Sequence, residues 1–373
     1  MSGFHSRREF LGQSAGVLGI LALGGRPSLA QQEKAASATE LARKAVAFLR
    51  PRQEPNGGWS TATEPGISAL VVTALLRTGL VTPAEPVVTK ALAYLEGFVG
   101  PQGGLNGPHA NYSTSIALLA FHEANTGRRY DGVIKAGQSF LKGAQWDETE
   151  DKKPDDPFYG GAGYGGKNSR PDVSNTSYFL ESLRETGLPA DDPNVQKAVL
   201  FLSRCQNLKS EFNDQPWAGK VNDGGFVYTT AGGGVSMAGG DPASGLRSYA
   251  SMTYAGLKSM IYAGLTDNDP RVKAAYDYIR QHYSLDENPG LGQAGLYYYY
   301  HTFAKALALL GKPTLVDSSG RSHDWRAELV EALAKRQNAN GSWVNPADRF
   351  MEGDPNLVTA YGLLALAYTK PKR

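Results

Sequence analysis

The chain has 373 residues, of which 41% are hydrophobic, and its formal net charge is +2. This composition is typical of a globular protein and excludes a largely disordered chain. The weak charge gives no support to nucleic-acid binding, and no apolar stretch reaches the roughly 20 residues that a transmembrane helix needs.

The N-terminus has the three parts of a twin-arginine signal peptide in their usual order. Arg7 and Arg8 precede a short apolar run at residues 15 to 24, and residues 28 to 30 form a small-x-small cleavage site. We therefore expect residues 1–30 to direct export and to be removed. Residues 31–373 would then form one domain in the periplasm or another extracytoplasmic space.

The remaining chain repeats one pattern six times: an amphipathic helix, a glycine-rich turn, and a helix that is apolar nearly all round. The amphipathic helices are predicted at residues 38 to 49, 87 to 98, 131 to 143, 193 to 206, 270 to 283 and 324 to 337. The apolar helices are predicted to begin near Gly66, Ser113, Ser174, Ala250, Tyr299 and Asn356. Each carries a Thr or Ser close to its start, at Ser68, Thr114, Thr176, Thr253, Thr302 and Thr359.

Helices without a polar face are buried. Two concentric rings satisfy this pattern best, because an open solenoid would expose one face of the apolar layer. The sequence therefore predicts an all-α fold, a single (α/α)6 toroid of six helical hairpins.

The glycine-rich turns resemble the QW motifs of the squalene cyclase and protein prenyltransferase superfamily. Residues 48 to 59 contain Gln53 and Trp59, residues 333 to 343 contain Gln337 and Trp343, and a stretched version ends at Phe226 in place of Trp. The chain is thus similar to prenyltransferase and squalene oxidase repeat proteins. The resemblance implies a barrel whose cavity takes an isoprenoid-like or other hydrophobic small molecule.

Two motifs depart from the catalytic members of that superfamily. Squalene-hopene-type cyclases carry a DxDD motif, and here only its first acid is kept, as Asp172, whereas Ser174 and Asn175 replace the second and third. A serine hydroxyl cannot protonate an alkene. Tyr300 and His301 match the zinc-binding histidine motif of prenyltransferase β subunits, but the companion Asp-x-Cys ligands are missing. We expect neither a metal nor another cofactor.

Polar residues near the predicted starts of the inner helices form the candidate site. Parallel inner helices would bring their N-termini to one mouth, where partial positive charge favours anionic or hydrogen-bond-accepting groups. Glu64 and His109 are among the polar residues there. The candidate catalytic residues are Asp172, Asn175, Tyr300 and His301. The candidate ligand-binding residues are Arg170, Ser174, Asp241, Arg247, Tyr249, Tyr254, Glu352 and Asp354.

These assignments have alternatives. Asp172 and Asp354 are equally consistent with helix N-caps. Arg170 and Arg247 could clamp a phosphate or carboxylate of a ligand, but ion pairs to Asp172 and Asp241 are the favoured interpretation. At the level of function, a noncatalytic toroid that binds a lipid or a protein competes with the isoprenoid hypothesis. So does a polysaccharide lyase-like enzyme, which would need four residues on one wall: Asn175, Arg247, Tyr300 and His301. The oligomeric state is not predicted.

Overall fold

The computed structural model describes residues 29 to 370, apart from residue 62 and residues 166 to 168, with side chains from residue 37 onward. The predicted signal segment up to residue 28 lies outside the described residues. In the part described, no helix is both long and apolar enough to cross a membrane.

Long helices alternate between an outer and an inner layer along the chain. The outer helices are α1 (Leu29–Leu49), α3 (Pro86–Glu96), α5 (Asp131–Gly143), α7 (Pro193–Arg204), α10 (Pro270–Gln281) and α12 (Trp325–Arg336). The inner helices are α2 (Pro65–Arg77), α4 (Ala110–Glu123), α6 (Val173–Glu185), α9 (Ala250–Tyr262), α11 (Leu296–Leu310) and α13 (Pro355–Thr369).

Shorter elements occupy the connections. The helix α8 (Ala218–Val221) follows α7, and two antiparallel two-stranded hairpins pair β1 (Gly240–Asp241) with β2 (Gly245–Leu246) and β3 (Leu315–Val316) with β4 (Ser322–His323).

The inner helices close into a ring. Each packs against the next inner helix along the chain, and α13 packs against α2, while α1 contacts both α12 and α13. The predicted all-α toroid is therefore confirmed. Three helices begin at least three residues earlier than predicted: α1 at Leu29 instead of residue 38, α4 at Ala110 instead of Ser113, and α11 at Leu296 instead of Tyr299. For α11 the reason is visible. Glu352 accepts hydrogen bonds from the backbone N–H groups of Tyr297 and Tyr298, which allows this earlier start.

A glutamine after the outer helix joins neighbouring repeats. Gln53 donates to the carbonyl of Gly57 in its own turn and to that of Val87 at the start of the next outer helix, at 2.9 and 2.8 Å. Gln145 and Gln206 make equivalent pairs of bonds. Gln337 donates to Gly341 and, across the ring closure, to Leu41. These side chains connect successive hairpins and tie the last one to the first.

The repeated Ser or Thr of the inner helices holds the turn that precedes it. In five of the units within the described chain, its hydroxyl accepts a hydrogen bond from the backbone N–H of the residue that ends the turn. The donor and acceptor residues are Trp59 and Ser68, Leu105 and Thr114, Ala162 and Thr176, Phe226 and Thr253, and Trp343 and Thr359. Thr302 differs, because its hydroxyl donates to carbonyls of its own helix.

Replacing Gln337 by alanine should lower the free energy of unfolding by about 2 kcal/mol, because two hydrogen bonds to backbone carbonyls are lost. Urea denaturation measures the change. The matched control is Gln196→Ala on α7, where an exposed side chain makes one bond, to Ala190, and the expected loss is below about 0.5 kcal/mol. Equal losses in the two variants would show that the bond between the last and first repeats is unimportant.

Candidate functional site

A cavity of about 440 Å³ opens at the end of the barrel where the inner helices begin. This volume lies within the range of small-molecule sites. Its walls combine apolar side chains, such as Ile67 and Leu357, with an unusual number of tyrosines. The tyrosines that line it are Tyr112, Tyr164, Tyr178, Tyr228, Tyr249, Tyr298 and Tyr361. Tyrosine is therefore the most frequent residue type in the lining, and its hydroxyl is the most frequent polar group there.

Helical spacing explains how the deeper tyrosines reach the cavity. Ser174 and Tyr178 are four residues apart on α6, and Leu357 and Tyr361 are four apart on α13, so each pair lies on one helix face. All four side chains line the cavity. Two adjacent turns of each inner helix thus contribute to the wall.

The run of four tyrosines in α11 supplies Tyr298 to the cavity. Its hydroxyl lies 2.9 Å from the hydroxyl of Ser174 on α6. The hydroxyls of Tyr299 and Tyr300 donate instead to the carbonyls of Ser284 and Leu285, away from the cavity. Tyr300, a candidate catalytic residue, is therefore outside the cavity wall. The sequence analysis did not single out Tyr298, which takes the cavity-facing position.

His301 lies directly below the cavity. Its ring stacks between those of Tyr178 and Tyr361, with centroids 6.4 and 5.9 Å away and interplanar angles of 14° and 23°. Burial lowers the pKa of His301 to about 3. The imidazole is consequently neutral at physiological pH, and it is not among the described residues that line the cavity.

Asp172 caps α6 and does not itself line the cavity. Its carboxylate accepts hydrogen bonds from the backbone N–H and the side-chain amide of Asn175, at 2.9 and 2.7 Å. Tyr228, which does line the cavity, also hydrogen-bonds to Asp172. Burial raises the pKa of Asp172 to about 6, although these hydrogen bonds oppose the shift. Asp172 and Asn175 are thus brought together as a capping pair.

The N-termini at the mouth are less open to anions than the sequence suggests. In most of the inner helices, N–H groups of the first turn already donate to protein acceptors. These acceptors are the carbonyl of Tyr164 for α4, Asp172 for α6, the carbonyl of Pro289 and the side chain of Asn288 for α9, Glu352 for α11 and Asp354 for α13. The expected preference for anionic ligands therefore loses most of its structural basis.

Glu352 and Asp354 both serve as caps in the same loop. One oxygen of the fully buried Glu352 accepts from the N–H groups of Tyr297 and Tyr298, and the other accepts from the side chain of Asn345, at 2.6 Å. Asp354 accepts from the first N–H groups of α13. Neither carboxylate lines the cavity.

The titration of Glu352 should affect stability. Burial raises its pKa to about 7, whereas an unfolded glutamate titrates near 4.3. The protonated, neutral form of Glu352 therefore stabilises the fold. This contribution to the free energy of unfolding is fully present below about pH 4.3 and is lost as the pH rises through 7. Relative to Glu352→Gln, wild-type protein should lose about 3 kcal/mol between pH 4.5 and 8. Urea denaturation across this range measures the difference, and a constant difference would contradict the assignment.

The remaining candidate residues lie at the rim, in the cavity wall or between the layers. Arg170 and Arg247 are exposed, and within the described residues neither forms the ion pair considered above. The carboxylate of Asp172 instead accepts a hydrogen bond from the side chain of Asn175. The carboxylate of Asp241 accepts one from the backbone N–H of Ser244 in the β1–β2 hairpin. Tyr249 lines the cavity, whereas Tyr254 packs between the helical layers against Tyr299 and Phe303.

Glu64 and His109 form a pair at the cavity mouth. A carboxylate oxygen of Glu64 lies 3.1 Å from Nδ1 of His109, and both side chains line the cavity. Glu64 precedes α2 without capping it through its side chain, and His109 precedes α4. The edge of the Tyr164 ring contacts the imidazole of His109, with centroids 5.1 Å apart.

A layer of paired charges closes the barrel below His301. Lys258 lies 2.5 Å from Glu181, and Lys305 contacts both Glu181 and Glu185. Arg77 reaches Glu123 and Glu185. Three cations thus face three carboxylates near the C-terminal ends of the inner helices, where partial negative charge favours cations.

The balance of this layer depends on Glu181, which is fully buried. Burial alone would raise the pKa of Glu181, but Lys258, Lys305 and Arg77 outweigh it and hold the pKa well below its ordinary value. None of the residues in this layer was among the predicted site residues. The available signal was a charged residue within otherwise apolar helices, at Glu181, Lys258 and Lys305.

Comparisons with solved structures agree on the architecture. No family model matches the chain, and no curated protein sequence matches it. A variant of the type II terpene cyclase MstE from Scytonema, bound to its product merosterolic acid A, is similar with a TM-score of 0.57 and 14% identity over 90% of this chain and 98% of the cyclase. A family 76 glycoside hydrolase from a bovine Bacteroides thetaiotaomicron strain has a TM-score of 0.56 and 12% identity, covering 88% and 77% of the two chains.

A protein from Actinoplanes is similar with a TM-score of 0.52 and 17% identity over 89% of this chain and 99% of its own length. At such identities these likenesses establish the fold and leave the chemistry open. The chain is an α/α toroid of the kind that terpene cyclases and glycoside hydrolases share.

Proposed function

We propose that this protein binds an elongated hydrophobic molecule, isoprenoid-like in shape, in the cavity at the mouth of the barrel. The observation that carries the proposal is the lining of that cavity, in which tyrosine rings and aliphatic side chains surround about 440 Å³. Aromatic walls offer a large contact area to an apolar chain, and their hydroxyls offer polar contacts to its head group.

Binding accounts for the cavity better than acid-catalysed cyclisation does. Ser174 is in the wall where a DxDD-type cyclase would place an acid, and it bonds to the hydroxyl of Tyr298. Asp172 is held behind the wall by Asn175. Any modification of the ligand would therefore proceed without the alkene-protonating motif. In one similar structure, a variant of MstE is bound to its substrate geranylgeranyl dihydroxybenzoate, which is compatible with an isoprenoid ligand in a barrel of this shape.

The lyase alternative has less support. It needs Asn175, Arg247, Tyr300 and His301 on one wall, but Arg247 is exposed at the rim and His301 lies beneath the cavity. The hydroxyl of Tyr300 is bonded to the carbonyl of Leu285, outside the cavity. Residues 1 to 30 support the further proposal that the protein works after export, in an extracytoplasmic space.

Native mass spectrometry of the full chain, secreted from cells that make isoprenoids, tests the proposal. We expect a complex that is heavier than the polypeptide by the mass of one lipid-sized molecule and loses it on organic extraction. As a second arm, bare protein incubated with geranylgeraniol should form a one-to-one complex. A polypeptide that stays bare in both arms would contradict the proposal.

A further inference from the structure

We infer that the ligand bound in the cavity carries a cationic head group, a protonated amine or a quaternary ammonium, held beside Glu64. The inference deepens the proposed function and rests on it. It arises from three features of the cavity mouth: an incompletely paired carboxylate, a series of aromatic rings next to it, and occupied helix N-termini.

One oxygen of the Glu64 carboxylate has no hydrogen-bond partner among the described residues. Oε2 is paired with His109 at 3.1 Å, whereas Oε1 is buried and accepts no hydrogen bond from any described residue. A buried carboxylate oxygen without a partner is costly. An ammonium group on a ligand would supply the missing partner and would reduce that cost.

Aromatic rings lead from this carboxylate into the cavity. The Tyr164 ring lies 5.7 Å from that of Tyr112, which in turn contacts Tyr178 with centroids 5.6 Å apart. The ring faces of tyrosines attract cations, and cages of such rings recognise quaternary ammonium ligands. A cation at Glu64 would therefore be surrounded by a carboxylate and by electron-rich rings, with its apolar body directed toward Tyr178.

An anionic head group would find little compensation at the same place. Among the described residues that line the cavity, none is an arginine or a lysine. The rim arginines Arg170 and Arg247 are exposed, where solvent and salt screen their charge. At the starts of α4, α6, α9, α11 and α13, N–H groups already donate to protein acceptors, as shown above. An anion would thus meet the charge of Glu64, whereas cations such as Arg170 beside Tyr228 and Arg349 beside Phe350 are exposed and outside the lining.

Three probes with one hydrocarbon chain and different head groups separate the possibilities: farnesylamine, farnesol and farnesoic acid. Isothermal titration calorimetry at pH 7 gives each dissociation constant. We expect farnesylamine to bind at least about 10-fold more tightly than farnesol, and farnesoic acid to bind most weakly. The comparison needs no variant, so it stands even if substitutions at Glu64 disturb folding.

Two variants assign the preference to Glu64. In Glu64→Gln, the affinity for farnesylamine should fall to that for farnesol, while the affinity for farnesol changes less than about threefold. In His109→Gln the carboxylate remains, so the preference for the amine should persist. Exposed Glu211, outside the cavity lining, gives the matched control Glu211→Gln, which should bind all three probes like wild type.

The outcomes distinguish the two proposals. If none of the three probes binds, the proposed hydrophobic ligand is wrong. If farnesol or farnesoic acid binds as tightly as farnesylamine, hydrophobic binding stands and the cationic head group is wrong. If the amine preference survives in Glu64→Gln, the assignment of the head group to Glu64 is wrong.

Discussion

Replacing Glu181 by glutamine is expected to lower the free energy of unfolding by about 3 to 5 kcal/mol, the usual cost of removing one partner from a buried ion pair. Glu181 is fully buried, and it is paired with Lys258 and Lys305, which are also buried. Burial already lowers the pKa of Lys258, so without the carboxylate Lys258 would either lose its proton or hold a buried charge with little to balance it, and both are costly. Urea denaturation at pH 7 measures the loss.

A pair on the surface provides the control. Arg43 and Glu40 on α1 are 3.5 Å apart with exposed side chains, so Arg43→Gln should cost less than about 0.5 kcal/mol. The double variant Glu181→Leu with Lys258→Met removes a carboxylate and a cation together, and it should recover part of the loss seen in Glu181→Gln. If Glu181→Gln costs no more than Arg43→Gln, the charged layer does not stabilise the barrel.

Filling the cavity should abolish binding of the hydrophobic ligand. Leu357 is in the first turn of α13 and lines the cavity, so in Leu357→Trp a larger ring would occupy space that the ligand needs. We expect the dissociation constant for geranylgeraniol to rise by about 100-fold or more, which corresponds to about 2.7 kcal/mol. Calorimetry or quenching of tyrosine fluorescence measures it.

Leu357→Met is the matched control for this substitution. Methionine has nearly the same volume as leucine, so the variant should keep the cavity open and bind geranylgeraniol within about threefold of wild type. Circular dichroism and thermal unfolding would establish that Leu357→Trp keeps the helical fold. Unchanged affinity in a folded Leu357→Trp protein would place the binding site somewhere else.

The sequence predicted the architecture because its signals are local. A helix that is apolar nearly all round predicts its own burial. Each hairpin is indicated by a glycine-rich turn, with a glutamine before it and a Ser or Thr after it. Gln53 and Thr114 make contacts that recur around the ring. Six repetitions of one local pattern then leave few ways to bury all the apolar helices.

The direction in which an individual side chain points could not be predicted from such local patterns. At 100° per residue, a shift of one position turns a side chain from the cavity toward the outer layer. Tyr298 and Tyr300 are two residues and about 200° apart around α11, so Tyr298 lines the cavity and Tyr300 does not. The helix begins at Leu296 under the cap supplied by Glu352. That cap comes from a loop more than fifty residues further along the chain, and no local sequence pattern predicts it.

The polar residues at the mouth were recognised without their partners. Asp172 and Asp354 were equally consistent with caps and with ligand contacts, and the structure shows both of them as caps. The pairing of Glu64 with His109 joins the starts of two different inner helices. Such pairings depend on the rotation and height of neighbouring helices, which packing fixes only in the folded ring.

A crystal structure of the protein soaked with geranylgeraniol tests the central claim most directly. We predict electron density for the chain inside the cavity, with its apolar end between Tyr178, Tyr298 and Tyr361 and its head group near Glu64. Density for the ligand only on the outer surface of the barrel, or an empty cavity at a concentration that saturates binding in solution, would contradict the account.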